Sequence, residues 1–360
     1  MWSLSAMLLA LPLAMGSVSP VLPQSESQHR ADASAGAEAS ASVPALSPYM
    51  DLHAHIDPRD PTGSVEAAAR SLSAQNAARI FLLTEPYPQD DPERYDVDIY
   101  LAAAKKYPDK FSVVGGGGSL NAMIMESART GDAGAEVQRK FRARAEELLR
   151  EGVAGFGELA AEHLIQPSSG LKDYESAPPD HPLFLLLSDI AAENDVPIDL
   201  HMEAVPRAMP LPADLSSPNP SQLPANIPGF ERLLQHNRNA KIIWAHAGAD
   251  FTGYRTPDLC RRLLKAHSNL YMEIKYDPMT PGKNPIVVNG KIKSKWLKLF
   301  EDFPDRFVTG SDQHYRPNPA RGQPRWEATV LILNQLPSGL RQEIGIDNAL
   351  HIYTKLAKTP

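Results

Sequence analysis

The sequence predicts a parallel (β/α)8 TIM barrel of the α/β class. Three observations carry that expectation. After Pro48, short apolar or β-rich runs alternate eight times with longer amphipathic ones. The segments that follow the strands are long, whereas those that lead into them are short. The length, 360 residues, suits one barrel better than a small module or two ordinary domains. A doubly wound open sheet would need a Gly-x-Gly-x-x-Gly turn after its first strand, and none is present.

The expected strands are Tyr49–His53, Arg79–Thr84, Phe111–Gly115, Val153–Glu158, Val196–His201, Lys241–His246, Asn269–Ile274 and Arg306–Gly310. Each is too short for a helix and rich in residues that suit a buried strand. Helical spacing of apolar residues covers Ser64–Ala77, Tyr95–Tyr107, Ala135–Arg150, Pro182–Asn194, Asn226–His236, Pro257–His267, Ser294–Asp302 and Gln323–Leu336. A last helix, Ile346–Leu356, closes the chain. The glycine run Gly115–Gly118 lacks the Gly-Lys-Ser/Thr of a phosphate loop and reads as a flexible strand-end loop. The long post-strand segments are Glu85–Arg94, Leu159–His181, Met202–Ala225 and Tyr276–Lys293. In a barrel they gather at the C-terminal mouth, where active sites sit. Six prolines make Met202–Ala225 semi-rigid, a lid or pocket wall.

Composition narrows the classes. Hydrophobic residues at 42% and charged residues at 22% allow a sizeable core. Lys+Arg 36 against Asp+Glu 43 gives −7, which excludes nucleic-acid binding through bulk positive charge. The single cysteine, Cys260, excludes an internal disulfide, a cysteine zinc knuckle and an iron–sulfur cluster. Residues 1–16 form an apolar run ending in Ala14 and Gly16, spaced as for signal-peptide cleavage and too short to span a bilayer. Residues 17–47 have no hydrophobic period and read as a disordered tether. The barrel domain is thus 48–360. The chain is expected to be secreted or periplasmic, without a membrane span.

Titratable residues mark the strand ends. His53 and His55 lie two apart at the end of the first strand, so alternation sends both to one side. Glu158 ends the fourth strand, His201 the fifth, His246 the sixth, and Asp312 follows the eighth. A lone strand histidine is usually a satisfied core residue; four histidines and two acids at one end of one barrel are not explained that way. Imidazole and carboxylate are ligands suited to Zn²⁺ and similar divalent ions. No Gly-x-Ser-x-Gly elbow and no His-Glu-x-x-His helix occurs, which removes serine hydrolases and zincins. Arg207, His314 and Arg316 are equally readable as substrate contacts or solvated loop residues. Glu273 and Lys275 read as a buried ion pair or rim charges. His29, His163, His181, His236, His267 and His351 are expected at the surface.

With His53-x-His55, Glu158, His201, His246 and Asp312 in place, the chain resembles the amidohydrolase superfamily from Tyr49 to Leu356. It is closest to the amidohydrolase-related branch, with TatD-like features through Gly157-Glu158, and Ile346-Asp347-Asn348-Ala349 echoes that branch's closing helix. The resemblance implies one or two divalent ions, with zinc the expected metal. His53, His55 and Asp312 would hold the more buried ion. His201 and His246 would hold a second, or divide between ligation and substrate polarisation. Glu158 stands where family members place a bridging Lys or Glu. The implied activity is a metal-dependent hydrolase in which a metal-bound hydroxide cleaves a small ester, lactone, amide or phosphoester, since a bound ion lowers the pKa of water from about 15.7 to about 7. His201 and His246 are candidate oxyanion stabilisers, and Asp312 the general acid–base, with a purely structural ligand role as its alternative. The alternatives are a decarboxylase of the same superfamily and a metal-binding barrel without turnover. The acidic segment after the fourth strand of TatD enzymes is not recognisable, which weighs against nuclease action. The expected partner is a small-molecule substrate, with homo-oligomerisation open.

Overall fold

A computed structural model describes residues 48–86, 97–166, 174–317, 324–354 and 356. The segments expected as signal peptide and tether, 1–16 and 17–47, lie outside the described residues. So do parts of the long loops after the second, fourth and eighth strands.

The alternation resolves into parallel strands β1 (Tyr49–Ile56), β2 (Ala77–Leu83), β3 (Phe111–Gly116), β4 (Gly155–His163), β5 (Pro197–Met202), β6 (Lys241–Ala247) and β7 (Leu270–Ile274). The eighth strand is split: β8 (Phe307–Thr309) pairs with β7, and β9 (Gln313–Tyr315) pairs with β1. Because these two pieces are joined by only Gly310, Ser311 and Asp312, the sheet closes on itself. The order of the ring follows the chain, as a (β/α)8 barrel requires.

Helices α1 (Pro61–Gln75), α2 (Asp98–Lys106), α3 (Leu120–Thr130), α4 (Ala135–Glu151), α5 (Pro182–Glu193), α6 (Ile227–His236), α7 (Pro257–Ala266), α8 (Ser294–Asp302) and α9 (Arg325–Leu333) lie between and after the strands. Their ends follow local chemistry. Asp60 accepts from the Gly63 amide at the start of α1, and Thr256 does the same for Leu259 in α7. Helix α3 was not expected from the sequence. Correspondingly, the glycine run is no flexible loop: Gly117 packs so closely that a Cβ there would stand 2.2 Å from the Thr84 carbonyl oxygen. β4 also runs past its expected end at Glu158 as far as His163.

Two apolar layers result. The larger fills the space between strands and helices, with Trp244, Trp296, Phe141, Phe184 and Phe230 fully buried. The smaller joins Leu52, Phe81, Leu83, Val114, Ile243, Tyr271 and Val308 with Ala349, Ile352 and Tyr353. Residues from β2 and β3 can meet residues from β6 and β7 only through the barrel interior, so this layer is the lumen. The C-terminal segment plugs it where the strands begin. That segment is a π-turn (Glu343–Asp347) running into a short helix (Asn348–Ile352), and Tyr353 stacks on Phe81 at 4.5 Å. Asn348 fastens the plug by donating to the carbonyls of Pro304 (2.7 Å) and Phe307 (2.8 Å). With that end closed, the opposite end is the one left for chemistry.

Removing the amide of Asn348 strands two carbonyls in a buried setting. Asn348→Ala should cost about 1–3 kcal/mol of unfolding free energy, read as a lower urea midpoint with an unchanged slope. An unshifted midpoint would show that the plug is held by its apolar contacts alone.

Candidate metal centre

His53 and His55 leave β1 with their Nε2 atoms 3.2 Å apart. Each ring gives its other nitrogen to an acceptor. His53 Nδ1 is 2.8 Å from Glu273 Oε2, and His55 Nδ1 is 2.9 Å from the Leu83 carbonyl oxygen. In a neutral imidazole the nitrogen facing an acceptor carries the hydrogen, so both Nε2 atoms turn lone pairs towards each other. Glu158 Oε2 lies 3.4 Å from His53 Nε2 and 3.5 Å from His55 Nε2, and Asp312 Oδ1 lies 3.2 Å from His55 Nε2. Ligands about 2.0–2.1 Å from a tetrahedral ion stand roughly 3.3–3.4 Å from one another. These four distances are those between neighbouring ligands of one ion, and the facing lone pairs of His53 and His55 repel at that spacing unless a cation sits between them.

The other oxygen of Glu158 serves a second pair. Oε1 is 2.7 Å from His201 Nδ1 and 3.1 Å from His246 Nε2. Glu273 repeats the division one layer deeper: Oε2 takes His53 Nδ1, and Oε1 lies 3.2 Å from His246 Nδ1. Among the described residues, three groups converge closely enough to hold an ion: His53 with His55 and Asp312, His53 with Glu158 and His246, and His53 with Asp199 and Glu273.

The electrostatics favour a cation at the same place. Burial alone would lower the pKa of His53, yet Glu273, Asp199 and Glu158 raise it well above the ordinary imidazole value. A metal ion competes for the lone pair such a proton would occupy. His201 goes the other way, pushed down to about 3 by burial and then by neighbouring His163, so it stays neutral with its Nδ1 hydrogen turned to Glu158. Burial opposes the charge on Glu158, but His53, His201 and His246 hold it well below the usual carboxylate range. Lys275 and Arg325 do the same for Asp312 against the pull of burial.

Backbone shape sets these atoms. His246 and Asp312 have φ of 67° and 51°, a left-handed conformation that costs non-glycine residues energy and survives only where the surroundings enforce it. The Asp312 amide donates to the His53 carbonyl at 2.8 Å, locking the break in the eighth strand to the first. Gly310 makes room below: a Cβ there would fall 2.1 Å from Glu273 Cδ.

All six expected site residues meet at this end of the barrel, with His201 partly open and the other five buried. Of the two readings of Glu273, the rim charge falls and the buried pair stands with other partners, since it is fully buried and faces His53 and His246 rather than Lys275. Lys275 bonds Asp312 Oδ2, and Arg325 Nη1 reaches the same oxygen at 2.8 Å. Two histidines expected at the surface are buried and a third is half-buried. His181 caps α5 through the Leu183 amide at 3.2 Å, His267 is only 1% exposed, and the half-buried His163 lies against His201 at 4.6 Å between ring centres. His236 and His351 are exposed as expected, and His29 lies outside the described residues. Arg207 and Arg316 are exposed, whereas His314 stacks on His55 at 4.6 Å and pairs with Glu85 at 3.2 Å.

No family model matches the sequence, and no curated protein matches it. Among solved structures, one described as "Molecular Engineering of Organophosphate Hydrolysis Activity from a Weak Promiscuous Lactonase Template" superposes with a TM-score of 0.50 at 13% identity. The match covers 85% of this chain and 95% of that one. A cellulase, Cel5C_n, aligns with a TM-score of 0.33 at 12% identity over 87% of each chain, too loosely to bear on the fold. The first likeness supports the barrel and, at that identity, nothing finer.

Glu273→Gln tests the support of the histidines. An amide keeps one acceptor oxygen and turns an NH2 towards the other ring, whose Nδ1 must then accept and whose Nε2 must carry the hydrogen. One of His53 and His246 thereby loses the lone pair it turns to the site. Chelator competition should show metal affinity reduced about 10–100-fold; equal affinity would mean that the rings are held by packing alone.

Proposed function

We propose that the chain is a metal-dependent hydrolase of amidohydrolase type acting on a small ester, lactone, amide or phosphoester. The observation that carries this reading is the division of Glu158, one oxygen to His53 and His55 and the other to His201 and His246. A carboxylate so placed is suited to two ions roughly 3.5–4 Å apart, a spacing used in two-metal hydrolysis. His53, His55 and Asp312 would hold one ion, His201 and His246 the other, with Glu158 shared; zinc suits this nitrogen-rich set. Bound there, the metal would acidify water and draw charge from the substrate's carbonyl or phosphoryl oxygen.

The chain's own residues do the rest. Glu273 and the Leu83 carbonyl hold the imidazoles in the tautomers that face the site. Asp312, with its Oδ1 beside His55 and its Oδ2 held by Lys275 and Arg325, is the carboxylate that would receive a proton from water and pass it to the leaving group. The structural neighbour, described as a weak promiscuous lactonase template engineered for organophosphate hydrolysis, is consistent with this substrate range. The shared carboxylate favours hydrolysis over the decarboxylase alternative, which needs no second ion. The apolar run at 1–16 supports an exported enzyme that meets its substrate outside the cytoplasm. No helix among the described residues is long and apolar enough to cross a membrane.

Metal analysis decides between one ion and two. Wild type should bind two equivalents of zinc, and Glu158→Gln should fall towards one. A wild type saturating at one equivalent would sink the bridging role. For Asp312→Asn, turnover should drop by about two to four orders of magnitude with the fold intact, followed by steady-state assay at matched metal content. Unchanged turnover would leave Asp312 a ligand and nothing more.

A further inference from the structure

Two cations stand at the edge of the site, and the hydrolytic reading gives them no task. Lys275, one residue past the end of β7, donates its ammonium to Asp312 Oδ2. Arg325, the first residue of α9, brings Nη1 to that same oxygen at 2.8 Å and to the Asp312 carbonyl at 2.6 Å. Its Nε lies 3.2 Å from Asp277 Oδ2. The two heads converge on the outer oxygen of Asp312, while the inner oxygen faces His55 at 3.2 Å. Lys275 also borders a recess of about 20 Å³ lined by His201, His246, Phe251 and Arg255. It thus stands between Asp312 and the open side of the second histidine pair.

Their donors are not used up. An ammonium has three hydrogens and a guanidinium five. One contact of Lys275, and the contacts of Arg325 through Nη1 and Nε, leave Nη2 with no partner among the described residues. The side chain of Lys275 is 12% exposed and that of Arg325 34%, so both remain reachable from the mouth. A fork of one guanidinium and one ammonium with spare hydrogens is a recognised way to hold a carboxylate or phosphoryl group. Arg325 is shared between Asp312 and Asp277, so the subsite rests on the spare hydrogens of the two heads rather than on surplus charge.

We propose that Lys275 and Arg325 form a subsite for a small oxyanion on the substrate, next to the bond that is cut. The substrate of the reading above would then be an anionic ester, lactone or amide, and neutral analogues would be poor ones. This rests on the hydrolase reading for the bond, but not for the binding.

The test has two arms. In the first, the zinc-loaded protein is titrated by calorimetry with acetate, inorganic phosphate and neutral acetamide. Acetate or phosphate should bind and acetamide should not, the better of the two identifying the oxyanion. Lys275→Met and Arg325→Gln, on different elements, should each weaken that binding about tenfold, with zinc content unchanged and Lys275→Arg restoring part of it. A tenfold loss corresponds to about 1.4 kcal/mol. Oxyanion binding by both variants as tight as by wild type would overturn the subsite, since the metal alone would then hold the anion. Acetamide binding as well as acetate would overturn it too. In the second arm, a neutral ester and its carboxylated analogue are compared. Wild type should prefer the carboxylated ester, and each variant should lose about tenfold of that preference in kcat/KM. Equal preference in variant and wild type counts against the subsite. If wild type cleaves neither ester, the hydrolase reading falls while the first arm still decides on the subsite.

Discussion

Glu158 has two oxygens and four imidazoles around them, and most of the site follows from that sharing. Buried carboxylates are costly unless charge or hydrogen bonds compensate them, and Glu158 is compensated on both sides by rings from β1, β5 and β6. Those rings are themselves polar atoms in a water-poor space, so each needs a partner on its far nitrogen. Glu273 supplies two and the Leu83 carbonyl a third. The fourth ring, His201, is partly open to the mouth, and at the centre of the set the Nε2 atoms of His53 and His55 face each other at 3.2 Å. Each member is satisfied only if the others hold their positions, which makes the arrangement stiff.

The barrel makes this sharing possible, because parallel strands bring residues more than 200 positions apart to one end. It also stores strain there. His246 and Asp312 carry left-handed backbone, and the eighth strand breaks at Gly310–Asp312. The break is pinned from β1: Asp51 takes the Ser311 amide at 2.8 Å and the Ser311 hydroxyl at 2.5 Å, while His53 takes the Asp312 amide. Burial raises Asp51 to about 6 even though these Ser311 bonds favour its charged form. The same strand thus supplies the two histidines that face each other in the site and the anchors that shape the loop opposite them.

What the sequence made legible follows from periodicity. Strand ends could be read because apolar runs stop at polar residues, and His53-Ala54-His55 announces a shared face. Glu273-Ile274-Lys275 has the same spacing, yet an acid beside a lysine also describes a rim ion pair. Only the ring of strands, which sets β7 beside the break after β8, turns Glu273 beneath His53 and His246. Helix α3 was hidden because Leu120–Thr130 follows four glycines that read as a loop. The stacking of Gly117 on Thr84, which no local pattern reports, shows why those glycines are there. His163 was misplaced for a related reason: β4 continues past Glu158, so a residue assigned to a loop stays in the wall beside His201.

The proline-rich segment after β5 is better described as a wall than as a lid. Asn226 ties its base, donating to Glu162 Oε2 (2.7 Å) and the Glu203 carbonyl (2.8 Å) and accepting from the Val205 amide (2.9 Å). Asn219 fastens its middle to Ile165 through both amide and carbonyl, each at 2.8 Å. Burial, with nearby Asp250, raises Glu203 to about 8, and burial raises Glu162 to about 7 against the bonds from Tyr174 and Asn226. Carboxyl groups held that high need little counter-charge at neutral pH, so they can serve as hydrogen-bonding posts within a largely uncharged wall. A loop with six prolines loses little freedom when so fastened. Selection by a fixed wall depends on fit and charge rather than closure, which leaves the cations beside Asp312 as the side of the mouth where a substrate's charge can be read.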